Sequence, residues 1–451
     1  MPEYHKKMET MNFSYKDFSA SKIKYPRYFH TLWSVDKSKL LSMEKEANEK
    51  GKSESAALSA IANRTSKSYF KKLNMAQIES IIYSESVFPT YKFILPDAIY
   101  DDWLSTLDPH KEHCRDHTLH QPLTAYVVAK LLGYGNPKDA FNLGPEKGDL
   151  FTWCGNTLLN SPKTEYLRQY FYSLYPKYKI LPKGIMQKLA CDVFYETAVV
   201  SALFHDIGYP WQYISRLNKS ILAADFRKLQ DIHNVGESIR DTIRGRLLEY
   251  PFYGYSHVSK SRPVIHWDTV LDKVLYKSSR ETHGFPGALA FTVLQDSIRQ
   301  FPGDFNFNDA VFRFIYDWAA VGIMMHDMLK VYRGNGNVPE SPFLRLSFES
   351  DPLSSIISLA DVIEEFERPC SHFPPQPSGE VKLIYDYPCI STELILIGDV
   401  LDFTYLYKTP KDVALNIEGR KKEIDNYFNT NSSFVDLTPL GISRTECNCR
   451  N

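Results

Sequence analysis

The chain has little of what marks secreted, membrane-spanning or nucleic-acid-coating proteins. Its seven cysteines, among 451 residues, are scattered and form no CxxC pair. An odd count without a framework argues against a disulfide-stapled scaffold and for a reducing compartment. Cys447 and Cys449 form a CxC at the end of the chain. A structural zinc site wants about four ligands, so this pair reads as a solvated tail. No stretch reaches the roughly 18 apolar residues of a membrane span. The opening MPEYHKKMETMNFSYKDF lacks the apolar core of a signal peptide. The expectation is a cytoplasmic protein without membrane contact. Lysine and arginine number 53 against 54 aspartates and glutamates, a net charge of −1. No global basic field therefore points to nucleic acid, and no acidic run points to a disordered tail. A local basic patch would still be enough for a nucleic-acid substrate. No internal repeat is visible.

What is present suits a soluble protein with a sizeable core: 43% of residues are hydrophobic and 24% charged. Residues 1–95 are polar and lysine-rich, with helical patches at Lys37–Asn48 and Met75–Ile82. Residues 96–370 read as mostly helical. Irregular backbone is expected at Gly133–Asp149, from its Gly, Pro and Asn content, and an aromatic-rich insertion stands at Tyr250–Trp267. A Pro/Ser-rich segment from Arg368 supplies a linker, placed at 371–380. Beyond it, VKLIYDY, ELILIGDV and DFTYLYK alternate as strands do, and PKDVALNIEGRKKEIDNYF reads as a helix opened by proline. The fold class is therefore mainly α, a helical bundle preceded by a polar helical region and followed by a small α+β unit at 381–451.

The residues that carry chemistry begin at ALFHDIGYP, 202–210. His205 and Asp206 follow the apolar helical run AVVSALF. Burying an ionised aspartate beside a histidine is costly without compensation, and a metal cation compensates directly, because imidazole and carboxylate both ligate. A His–Asp hydrogen bond at a helix end is the plainer alternative. Gly208 and Pro210 end the helix. Upstream, His120, Leu123, Val127 and Leu131 recur at helical spacing, which places His120 on an apolar face. His113 and His117 are its rivals, and the LTAYVVA continuation favours His120. Downstream, His283 precedes an apolar helix. His326 is the polar member of a stripe with Ile315, Ala319, Gly322 and Ile323. Asp361 follows Leu353 and Ile357 on the buried side of a helix that Asp351 or Ser350 can cap and Pro352 can open.

This order, together with the segments HDIGYP, THGFPGAL and LADVIEEFERP, resembles the HD superfamily of metal-dependent hydrolases over about Arg115 to Pro369. The resemblance implies His120, His205, Asp206, His283, His326 and Asp361 as ligands of one or two divalent ions (Mn, Fe, Mg, Zn or Ni). Asp206 would bridge, with His120, His205 and Asp361 on one ion and His283 and His326 on the other. It implies a phosphohydrolase or phosphodiesterase acting on a small-molecule phosphoester, preferably a nucleotide. The same branch includes mixed-valent diiron oxygenases, and a non-catalytic metal-stabilised sensor is the remaining alternative. Tyr209 stands where many such hydrolases have lysine, and Asp327 stands where dinuclear phosphodiesterases often have a second histidine. Arg115 and Arg280 are the catalytic phosphate-contacting candidates beside Asp206, with Arg368 behind them; a solvated arginine is the plainer reading of each. Asp116 and Asp327 can orient ligand imidazoles. Tyr209 and Trp211 can stack on a base or simply pack.

Overall fold

The computed structural model describes residues 8–21, 117–160, 183–208, 283–284, 287–288, 291, 315, 318–327, 346–349, 351–366, 370–372, 384–386, 388–429 and 434–451. The expected helices at Lys37–Asn48 and Met75–Ile82 and the aromatic insertion at Tyr250–Trp267 lie outside these residues.

Helix dominates what is described, beside a small mixed sheet. The helical layer contains α2 (His117–Leu131), α3 (Leu150–Asn160), α4 (Lys183–Phe204), the helical stretch 318–327 and α5 (Pro352–Ile363). Helix α4 packs against α2, α3 and α5. Leu123, Val127 and Leu131 are all fully buried, as their spacing predicts. Helix α5 is buried on every side save at Asp361, as a central helix must be. Its start follows from its sequence: Asp351 accepts from the Ser354 backbone N–H at 3.0 Å and Pro352 occupies the first turn. Gly155 lets α3 lie directly on α4, since a Cβ there would stand 2.2 Å from Cys191 Sγ.

The segment Gly133–Asp149 is irregular, as its composition predicts. A 3₁₀ turn at Gly133–Gly135 opens it, and an isolated bridge joins Asn142 to Asp149. Gly133 has φ +59°, and a Cβ on it would meet the Ala140 nitrogen at 2.3 Å.

The sheet joins one strand from the start of the sequence to three from its end. Its order is β1 (Met8–Ser14), β5 (Cys389–Ile397), β6 (Val400–Tyr407) and β8 (Arg444–Arg450). β1 and β6 run antiparallel to β5, with Met8 opposite Ile397 and Ile397 opposite Val400. β8 runs parallel to β6, Leu401 opposite Thr445, so a crossover is required between them. It is α6 (Pro410–Ile424), capped by Thr409, which packs on β8. Short pairs complete the set: β2 (Leu346–Ser347) with β7 (Val435–Asp436), and β3 (Cys370–His372) with β4 (Ile384–Asp386).

Two features depart from the sequence reading. The first strand of the C-terminal sheet comes from the start of the chain. Met8–Ser14 joins the unit expected at 381–451 by pairing along its whole length with Ser391–Ile397, while Phe13 and Phe18, the latter on the short helix α1 (Tyr15–Ala20), are fully buried against Tyr126 of α2. The CxC pair is no solvated tail. It lies in β8, where Cys447 is opposite Phe403 and Cys449 opposite Tyr405, and burial of Cys447 reflects the sheet's inner face.

Candidate metal centre

Four histidines and two aspartates from five places in the chain meet at one point. His120 comes from α2, His205 and Asp206 from the turn that ends α4, His283 from the start of a helical segment, His326 from the stretch 318–327 and Asp361 from the last turn of α5. All are buried except Asp361, which is partly exposed. The Nε2 atoms of His120 and His205 stand 3.1 Å apart, and those of His283 and His326 stand 3.0 Å apart. Asp206 lies between the two pairs. Its Oδ2 is 3.4 Å from His120 Nε2, while its Oδ1 is 3.3 Å from His205 Nε2, 2.9 Å from His283 Nε2 and 3.6 Å from His326 Nε2. Asp361 Oδ1 completes the first pair, 3.1 Å from His120 Nε2 and 4.0 Å from His205 Nε2.

The other nitrogen of each ring is also engaged. His205 Nδ1–H donates to the Ala202 carbonyl at 2.7 Å, and His326 Nδ1–H to the Ile323 carbonyl at 2.6 Å. A carbonyl can only accept, so these Nδ1 atoms carry the proton. His283 Nδ1–H donates to Asp327 Oδ2 at 3.0 Å, and His120 Nδ1–H to the Glu364 carboxylate. Every ring thus turns its Nε2 toward the same small volume, and His283 offers a lone pair there once it has lost the proton it shares with Asp206. Facing lone pairs repel one another, and a cation removes that conflict. The donor set fits one: ligands at right angles on bonds of about 2.1 Å are separated by about 3 Å, the spacing of the His120–His205 and His283–His326 Nε2 pairs. Two groups, His120–His205–Asp361 and His205–Asp206–His326, have ligand atoms close enough to hold a metal ion.

Electrostatics differ between the two halves. Burial holds the His205 imidazole down at about 3, so it is neutral and ready to ligate. Burial also pushes the His283 imidazole down, yet the Asp327 and Asp206 carboxylates outweigh it and raise the group to about 9. Without metal, His283 therefore keeps a proton at neutral pH.

Glycines set how closely the supporting backbones approach. A Cβ on Gly208 would stand 2.0 Å from the His283 carbonyl oxygen and 2.5 Å from the Gly287 nitrogen. Gly208 therefore does more than end a helix: it lets the HD turn lie against the segment that bears His283. A Cβ on Gly284 would stand 2.8 Å from the Met324 carbonyl oxygen, so Gly284 does the same for the stretch bearing His326.

Of the rival histidines, His120 stands in the cluster; His117 opens α2, and its side chain is outside the described residues. Asp327 lies against His283, as an orienting carboxylate would. Arg115, Arg280, Arg368, Asp116, His113, Tyr209, Trp211 and Pro210 are outside the described residues. The sequence reading missed Glu364. In the pair Glu364–Glu365 nothing local distinguishes the two, yet Glu364 is fully buried against His120 while Glu365 pairs with Arg420.

Known protein families, curated proteins and solved structures were each compared with the chain, and none matches.

Proposed function

We propose that this chain is a metal-dependent phosphohydrolase of the HD type, acting on a small phosphoester, preferably a nucleotide. The observation that supports it is the convergence of four Nε2 atoms and two carboxylates around Asp206, with each Nδ1 occupied by an acceptor. Two ions would be held by His120, His205 and Asp361, whose ligand atoms form one close group, and by His283 and His326, whose Nε2 atoms stand 3.0 Å apart, with Asp206 Oδ1 facing His205, His283 and His326 and Oδ2 facing His120. Two bound divalent ions supply a water of lowered pKa and neutralise charge on a phosphoryl oxygen. Asp206 would offer its carboxylate to both ions, and Glu364 and Asp327 hold two rings in register. Burial excludes bulk water and strengthens each of these interactions. Imidazole-rich ligation suits Fe, Zn or Ni better than Mg or Mn, which favour oxygen ligands.

The test is element analysis of the purified chain joined to a screen of phosphodiesters and nucleotides in Mn²⁺. Release of phosphate or a nucleoside monophosphate, abolished in His205→Ala and Asp206→Ala, is expected. The four-imidazole set also suits a diiron oxygenase. Stoichiometric iron with O₂ consumption and no phosphoester turnover would replace the hydrolase reading.

A further inference from the structure

The sheet and α6 supply no residue to the ligand groups found among the described residues, yet they grip both helices that bear His120 and Asp361. On β6, the fully buried Tyr405 donates its hydroxyl hydrogen to the Val362 carbonyl at 2.9 Å. That carbonyl lies in the last turn of α5, where helix carbonyls have no partner within the helix. On α6, Arg420 forms a largely buried ion pair with Glu365 at 3.1 Å and a second with Glu423. Glu365 is the residue directly after Glu364. On the α2 side, Lys130 donates to the Asn12 carbonyl of β1 and to Asp17 of α1, the latter at 3.2 Å, and its ammonium stands 5.4 Å from the centroid of the Phe13 ring. The Tyr126 and Phe366 rings, 6.3 Å apart, join the two gripped segments.

We propose that the α+β unit is a clamp that sets the Glu364 carboxylate against His120 and so fixes the imidazole of one metal position. Glu364 is a positioning residue acting through His120, and Arg420 acts one step further out through Glu365. The clamp serves one half of the centre. His283 and His326 take their orientation from Asp327 and the Ile323 carbonyl. This inference rests on the metal-centre reading above.

The experiment titrates Mn²⁺ alone into the metal-free full-length chain, by calorimetry and by electron paramagnetic resonance. The variants are Glu364→Gln and the double change Glu365→Gln/Arg420→Met, which removes both charges of the pair together so that neither is left buried and alone. The wild type is expected to bind two Mn²⁺ with an exchange-coupled signal. Each variant is expected to weaken one position by about 10–100-fold, leave the other unchanged, and show an uncoupled single-Mn²⁺ signal at one equivalent. If the double variant fails to unfold cooperatively, Tyr405→Phe, which removes only the hydroxyl that holds the Val362 carbonyl, takes its place with the same expectation. Two ions bound with affinities equal to wild type, or equal weakening of both positions, would overturn the clamp alone. A wild type that binds no Mn²⁺ would overturn the metal-centre reading and the clamp with it.

Discussion

One oxygen of Asp327, Oδ2, accepts two hydrogen bonds from His283: from its ring Nδ1–H and from its backbone N–H, both at 3.0 Å. The ring and the chain that carries it are thus held by the same atom. The carboxylate also adds negative charge behind the imidazole and makes Nε2 a better donor to a cation.

Replacing Asp327 by asparagine keeps an acceptor oxygen and removes the charge. Mn²⁺ affinity at the His283–His326 position is expected to fall by about 10–100-fold, with the other position unchanged. Calorimetric titration of the metal-free variant measures both. Retention of full affinity at both positions would show that Asp327 merely packs.

Gly208→Ala places a methyl group where the His283 carbonyl and the Gly287 nitrogen now lie, both of them backbone atoms that cannot rotate aside. The turn and the His283 segment must separate. Loss of one Mn²⁺ equivalent is expected, together with destabilisation of about 1–3 kcal/mol in urea unfolding. A variant that binds two ions at wild-type stability would contradict this close approach.

Gly155→Ala tests the scaffold away from the metal. Its added carbon would stand 2.2 Å from Cys191 Sγ and 3.0 Å from the Cys191 backbone. Destabilisation of about 1–3 kcal/mol is expected in urea, with Mn²⁺ stoichiometry unchanged. Parallel loss of metal would mean that α3 supports the centre directly.

The pH response of the metal-free chain follows from His283. Its value in the folded chain, about 9, lies above the ordinary value of about 6.5. The stability it contributes is complete below about 6.5 and is lost as pH rises through about 9. Metal replaces this proton. Affinity for the second Mn²⁺ should therefore rise steeply between pH 6.5 and 9, by about tenfold per unit where one proton is released. Calorimetry in buffers of different ionisation enthalpy counts that proton. A pH-independent second affinity would remove His283 from the ligands.

Metal should also stabilise the fold. At about 100 times its Kd, each Mn²⁺ adds about 2.7 kcal/mol, seen as a rise in Tm that chelator reverses. His205→Ala should abolish most of that rise.

Much was legible along the chain because it depends on local spacing. The stripe through Leu123, Val127 and Leu131 is buried as its helical period requires. Asp351 and Pro352 open α5 as their chemistry predicts. Pro410 does the same for α6. The partners across the site were not legible. His120 and Glu364 are 244 positions apart, and no period links them. The first strand was missed for a related reason. Burial in Met8–Ser14 is confined to Phe13, and the strand is defined by pairing with Ser391–Ile397 rather than by its own sequence.

Residue types, their order and the helical faces they occupy belong to the sequence, since backbone sterics and a repeat of about 3.6 residues act over a few neighbours. Which histidine joins the cluster, which glutamate of an adjacent pair turns inward, and how near the ring nitrogens stand were decided by packing. Those distances depend on how closely the backbones approach at Gly208 and Gly284, and that approach exists only once the separate segments are assembled around a shared core.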